Sequence, residues 1–269
     1  MSASVCVLAS SSRGNATAIT FDDSGRFILV DAGLTPRRVR SALVEAGATA
    51  RFHTLRAIFL THLDRDHWSL SWAKQLRRAP VPVIVRRAHS EQALAMGVPP
   101  QCLRPIDRPF ALGDTAEVRP IAVPHDEVGS TAFRFDCAAA RIGHATDLGS
   151  VTDELLEAFE GLDLLSIESN YDEFLQRNSP RPAFLKQRIM GGRGHLSNEQ
   201  SVEAARALTA SGTVRHLVLL HLSQECNRPE IVRKLFCARL PQMASSLVIS
   251  SPSEPTPMLQ LNRREAVVA

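Results

Sequence analysis

Four side chains able to bind a metal ion crowd into the stretch Leu60-Thr-His-Leu-Asp-Arg-Asp-His67: His62, Asp64, Asp66 and His67. The apolar run just before them, residues 55–60, is predicted as a buried strand. A strand ending in a tight loop can turn several side chains toward one point, and imidazoles with carboxylates suit zinc, iron or manganese. Alone, the segment reads equally well as a solvated polar loop, because His and Asp are common in turns. Three further donors stand at or near predicted strand ends: His125 after Ile121-Ala-Val-Pro, Asp147 after Ile142-Gly-His-Ala-Thr, and His221 after Leu217-Val-Leu-Leu. Any one of these is more often structural. The ordered set, each member at a strand end, is hard to reach by chance.

The elements that must position these donors alternate. Strands are predicted at 5–9, 16–21 and 27–31, the last two joined by the Asp22-Asp23-Ser24-Gly25 turn. A helix follows, capped by Thr35, with Pro36 in its first turn and Gly47 at its end. After the donor loop come a helix at 69–78, a strand at 81–85 and a helix at 88–96. Antiparallel strands are expected at 117–123, 131–136 and 140–144, then a helix at 155–159 and a buried strand at 162–168. Ser197 with Gln200 makes a capping box for a helix to about residue 210. A strand at 216–220, a closing helix at 228–240 and a hairpin pairing 246–250 with 258–261 complete the chain. Strands and helices interleave, but the hairpins argue for mixed rather than purely parallel sheets.

Composition sets outer bounds. The 269 residues are 44% hydrophobic and 22% charged, which supplies a sizeable core and excludes a disordered chain. Residues 1–269 are expected to form a single domain. No apolar run approaches the roughly 18 residues of a membrane span, and the N-terminus reads as a first strand and not as a signal peptide. The five cysteines (Cys6, Cys102, Cys137, Cys226, Cys237) are scattered and never form a C-x-x-C pair. That argues against a disulfide framework or thiolate zinc site and points to a reducing cytoplasm. The net charge is +3 and the only lysines are Lys74, Lys186 and Lys234, so the positive charge is nearly all arginine. Arginine's planar fork suits phosphate, although a compositional bias of the source would give the same balance.

The donor order resembles the metallo-β-lactamase superfamily, whose motif is H-x-H-x-D-H followed by a distant His, Asp and His. Seven further segments resemble its bacterial WalJ/YycJ-like branch: Leu8-Ala-Ser-Ser-Ser-Arg-Gly-Asn-Ala16, Val30-Asp-Ala-Gly-Leu34, Ala145-Thr-Asp-Leu-Gly149, Ile167-Glu-Ser-Asn170, Leu185-Lys-Gln-Arg-Ile189, Gly194-His-Leu-Ser-Asn198 and Leu220-His-Leu-Ser223. The resemblance implies an α/β fold, the αββα four-layer sandwich with mixed sheets, and a dinuclear centre at one edge. Carried over by position, His62, Asp64 and His125 would hold one divalent ion and Asp66, His67 and His221 the second, with Asp147 bridging. Two such ions share a water and lower its pKa to make hydroxide, and they stabilise charge on the attacked centre. Asp66 would also accept a proton. Asp64 departs from the motif, standing where its second histidine belongs. An anionic oxygen ligand favours manganese or iron over zinc, and it opens the reading of a weakened first site.

Around the donors, Asp31 either orients a ligating imidazole or caps a turn. His195, in a glycine-rich loop before the capped helix, either protonates a leaving oxygen, as a histidine outside the metal set does in related phosphodiesterases, or packs at the helix start. Ser10, Asn15 and Asn170 are candidate substrate contacts, with plain turn roles as the alternative. The branch usually continues the Asn170 motif with a histidine, where this chain has Tyr171. Arg181, Lys186, Arg188 and Arg193 either line a substrate channel or form a solvated basic surface. His53, His89, His144 and His216 fit no ligand position, and Trp68 and Trp72 read as core.

The resemblance thus implies a phosphodiesterase or exonuclease acting on nucleic acid, DNA favoured. The spacing from Asp147 to His221 leaves no room for a large inserted cap. A thioesterase or lactonase would use the same centre. A non-catalytic member is the third reading, supported only by Asp64.

Overall fold

The computed structural model describes residues 2–262, and two seven-stranded sheets lie face to face within it. The first holds β1 (Ser2–Ala9), β2 (Ala16–Thr20), β3 (Phe27–Val30), β4 (Leu55–Phe59), β5 (Val83–Arg86) and β6 (Leu103–Ile106). The second holds β7 (Phe110–Leu112), β8 (Ala116–Val123), β9 (Ser130–Cys137), β10 (Arg141–Ala145), β11 (Leu164–Glu168), β12 (His216–Leu220) and β13 (Leu247–Ile249), while β14 (Leu259–Asn262) returns to the edge of the first beside β1. The first sheet is covered outside by α1 (Pro36–Glu45), α2 (Ser71–Arg78) and α3 (Ser90–Ala95). Over the second lie α4 (Asp153–Ala158), α7 (Asn198–Thr209) and α8 (Pro229–Arg239), with α5 (Glu173–Asn178) and α6 (Ala183–Met190) at its margin.

Strands buried on both faces must be apolar at successive positions, not at alternate ones. On β1, Val5 and Val7 enter the layer between the sheets while Cys6 and Leu8 face α1 and α2. On β12, Leu217 and Leu219 meet the outer helices and Val218 and Leu220 the opposite sheet. Phe59, Phe133 and Phe135 pack edge-to-face in the middle layer, with centroids 5.3 and 5.4 Å from Phe59. Trp68 and Trp72 are core, as expected, although Trp68 precedes α2 and does not lie on it.

The layers are those of the αββα sandwich. Thr35 caps α1, and Ser197 with Gln200 caps α7 as the sequence predicts. The C-terminal hairpin does not exist. β13 pairs in parallel with β12 while β14 pairs antiparallel with β1 in the other sheet. The segment between them carries Pro252, Pro255 and Pro257 and cannot close a tight turn. It instead runs along β1, with Ser10 N–H donating to Ser251 O and Thr256 N–H to Val7 O. The sequence reading also passed over β6, β7, α5 and α6, all short and without clear periodicity.

Candidate metal centre

Every predicted donor lies at the same edge, beyond the C-terminal ends of β4, β8, β10 and β12. Ligand atoms of His62, Asp64 and His125 lie within 4.8 Å of one another, as do those of Asp66, His67 and His221. Asp147 falls between the two sets. Its Oδ2 is 3.1 Å from His67 Nε2, and its Oδ1 is 3.9 Å from His125 Nε2 and 3.3 Å from His221 Nδ1. All seven are buried except Asp66, which is partly covered, and Asp64, whose side chain is 51% exposed.

The imidazoles are held from behind. His67 Nδ1–H donates to Asp31 Oδ2 at 2.8 Å, and Asp31 is itself fixed by the Thr61 N–H at 2.9 Å. His125 Nδ1–H donates to Gly194 O at 2.9 Å. Both rings therefore present Nε2 to the cluster. Ser10 and Asn15 also stand behind it: Ser10 Oγ accepts from His221 N–H and donates to Asn15 Oδ1. Asn15 Nδ2 donates to Asp66 Oδ2 at 3.2 Å and lies 3.0 Å from His67 Nε2. Both are buried and line neither of the clefts that reach the centre.

Backbone strain collects here. Among the described residues the non-glycines with positive φ are Asp31 (61°), Asp126 (39°), Asp147 (55°) and His221 (55°). The three largest of these follow β3, β10 and β12, where a left-handed residue swings the chain sharply at the sheet edge. Such conformations persist only when the surroundings enforce them, and they gather at functional sites. Gly33 meets the opposite demand. A Cβ there would lie 1.7 Å from Asp66 O and 2.8 Å from Asn15 N, so only glycine lets the loops carrying Asn15, Asp31 and Asp66 close together.

Sequence reasoning missed Glu168. It ends β11, is fully buried, and its Oε1 accepts from His195 Nδ1 at 2.8 Å and lies 3.0 Å from His221 Nδ1, while Oε2 accepts from Leu148 N–H and Leu196 N–H. A carboxylate closing an apolar strand beside other donor-bearing strand ends was the available signal, since buried Glu is rare unless paired. Burial disfavours a charged His195, but Glu168 overrides it and raises the imidazole above its ordinary pKa. With Nδ1 so engaged, Nε2 of His195 is left uncommitted. Asn170 holds the His221 loop, donating from Nδ2 to His221 O at 2.7 Å.

Two clefts reach the centre. One, of about 730 Å³, runs past His62, Asp64 and His125 to Arg188 and Arg193. The other, of about 420 Å³, runs past Asp66, Asp147, Asn170, His195 and His221 to Arg181. Arg188 lines both and is bridged to Asp126, with Nε 3.0 Å from Oδ1. Lys186 of the same basic stretch donates to Arg177 O and lines neither.

The donor set fits divalent cations. Four carboxylates (Asp64, Asp66, Asp147, Glu168) converge with the imidazoles, and no lysine or arginine is buried among the described residues. Burial alone would raise Asp147, yet His221 and His67 hold it well below the usual carboxylate range. His221 Nε2 is buried without a hydrogen-bond partner, 3.5 Å from Asp66 Oδ2. Carboxylates converging with no lysine or arginine buried among them suit a cation, and an imidazole nitrogen left without a partner beside them is placed as a metal ligand would be.

This fold and donor set define a class. Residues 26–222 match the family described as Beta-lactamase superfamily domain, and the chain belongs to that family. The exodeoxyribonuclease WalJ of Streptococcus pneumoniae is 28% identical over 270 residues, covering 95% of this chain and 97% of that protein. The exodeoxyribonuclease YycJ of Bacillus anthracis is 28% identical over 233 residues, covering 84% and 85%. Among solved structures, the metallo-β-lactamase fold protein YhfI from Bacillus subtilis matches with a TM-score of 0.68 at 19% identity, covering 95% of this chain and 99% of that one. Family and donor cluster together make this chain a divalent-metal-dependent hydrolase.

Proposed function

We propose that the chain is a dinuclear phosphodiesterase that removes nucleotides from nucleic-acid ends, with DNA as substrate. The observation that carries this is the convergence of the donors in clefts rimmed by Arg181, Arg188 and Arg193, with His195 at the wall. The names of the two relatives support DNA. His62, Asp64 and His125 would hold one ion and Asp66, His67 and His221 the other, with Asp147 between them; zinc, manganese or iron would suit this set. The exposed Asp64 makes the first site the weaker. Bound there, the ions would supply a water of lowered pKa and offset charge on the phosphate oxygens.

The protein's own groups divide the remaining work. Asp66 accepts the proton of the attacking water on its carboxylate. His195 Nε2 gives a proton to the leaving oxygen while Glu168, on Nδ1, keeps the ring charged and oriented. Arg188 and Arg193 pair with flanking phosphates, and Asn170 keeps the His221 loop in place. Ser10, Asn15 and Asp31 act from behind by fixing ligands, as in other metal sites whose outer partners orient the imidazoles.

The test is elemental analysis of protein purified without chelator, followed by cleavage of end-labelled DNA and RNA with the metal found. About two equivalents, lost in two steps on chelation, and release of mononucleotides from DNA are expected. Asp147→Ala should abolish cleavage; wild-type rates in that variant would overturn the dinuclear mechanism. Turnover of small thioesters or lactones with intact DNA would instead select the small-molecule reading.

A further inference from the structure

Outside the clefts, many cations make no ion pair among the described residues, and six of them lie on the donor loops or on the helices that directly follow those loops. Arg37, Arg40, Lys74 and Arg78 line a groove of about 420 Å³ between α1 and α2, together with Thr35, Pro36, Ser71 and Gln75 and with no carboxylate. All four are exposed. Arg40 is steadied over the Phe52 ring, 4.8 Å from its centroid, and the nearest acid on α1, Glu45, is committed to Arg38 and Ser41. The other two cations sit on the loops of the metal centre. Arg65 lies between Asp64 and Asp66, and Arg13 lies between Ser12, which lines a cleft, and Asn15.

The groove adjoins these loops directly. Thr35 follows Asp31 and Gly33, Ser71 follows His67, and the two segments are sewn together: Ser69 N–H donates to Ala32 O at 2.8 Å and Trp72 Nε1–H to Leu34 O at 2.8 Å. Four like charges in one groove repel one another, and such a surface is stabilised by a polyanion. The eight residues of α2 extend about 12 Å, enough to meet more than one phosphate of a strand.

We propose that the α1–α2 groove, reached through Arg13 and Arg65, is a second DNA-binding site that grips the phosphate backbone of the strand beyond the cleft and takes no part in the chemistry. This rests on the nucleic-acid reading above. It assigns to the outer helices the grip on long substrates that the absence of an inserted cap leaves unsupplied.

The experiment measures the salt dependence of binding to a fluorescent DNA duplex with phosphorothioate ends, using metal-loaded protein. Arg40→Gln/Lys74→Gln is expected to lower the slope of log K against log salt by about two, one unit per phosphate contact. The loss of affinity should grow with duplex length. Arg37→Gln/Arg78→Gln should repeat the effect, Arg40→Lys should restore the slope, and all variants should melt with the wild type. An unchanged slope in both double variants, with wild-type protein still cleaving DNA, overturns the groove and leaves the nuclease reading standing. A lowered slope in a protein that cleaves no DNA upholds the groove and removes the nuclease. Wild-type protein that binds no DNA, or prefers anionic phosphatidylglycerol vesicles, overturns the groove.

Discussion

At His195 two opposing effects meet: burial disfavours its charge, and the Glu168 carboxylate 2.8 Å away restores it. The same carboxylate touches His221, so one buried residue ties the proposed proton donor to a proposed ligand. Removing the ring should therefore separate binding from chemistry. His195→Ala is expected to retain metal, by elemental analysis, while kcat on DNA falls about 10²–10⁴-fold, the usual worth of a positioned acid. Glu168→Gln keeps the hydrogen bond's shape but removes the charge, and should give an intermediate loss with the alkaline limb of the rate profile displaced to lower pH, because the ring then loses its proton sooner. Metal loss in His195→Ala would show that the ring is a ligand instead.

The elements meet where their backbones approach most closely. Asn15 N–H donates to Asp66 O at 2.7 Å across a gap that Gly33 leaves open. A methyl group cannot share that space without moving the loop of Asp64, Asp66 and His67. Gly33→Ala is thus expected to lower both the melting temperature and metal retention, although Gly33 itself carries no donor. A variant that kept full metal content after dialysis would show that the loop tolerates displacement. Asp31, Asp147 and His221 make the same point from the strand ends, because each holds an unfavourable φ that only the packed edge enforces.

Across the whole molecule, burial also takes in histidines outside the donor set. His144 on β10 is buried and its pKa is pushed down to about 4, chiefly by burial; His89 behaves alike. The unfolded chain takes up a proton near pH 6.5 that the native state refuses. Stability should be full above about pH 6.5 and fall as the pH drops toward 4, by about 2 kcal/mol per imidazole at about pH 5. Urea unfolding at a series of pH values checks this, and His144→Leu should flatten the acid limb by one such share. No helix among the described residues is long and apolar enough to cross a membrane.

What could be read without coordinates was local. Periodicity marked the buried strands, Thr35 and Ser197 marked helix starts, and the crowding of His62, Asp64, Asp66 and His67 marked one loop as a candidate for metal binding that, taken alone, read equally well as a solvated turn. These signals lie within a few residues of each other, where spacing alone constrains geometry. Glu168 was legible only in part, because a carboxylate at a strand end acquires meaning from neighbours 27 and 53 positions away. The final strands show the same limit: Leu-Val-Ile of β13 and Leu-Gln-Leu-Asn of β14 both read as short strands, and their separation into opposite sheets depends on which strand edges remain open after the rest has packed. The inward roles of Ser10 and Asn15, and the alignment of Arg37, Arg40, Lys74 and Arg78 in one groove, were likewise decided by tertiary structure, since long-range pairing sets which faces are buried and which charges become neighbours.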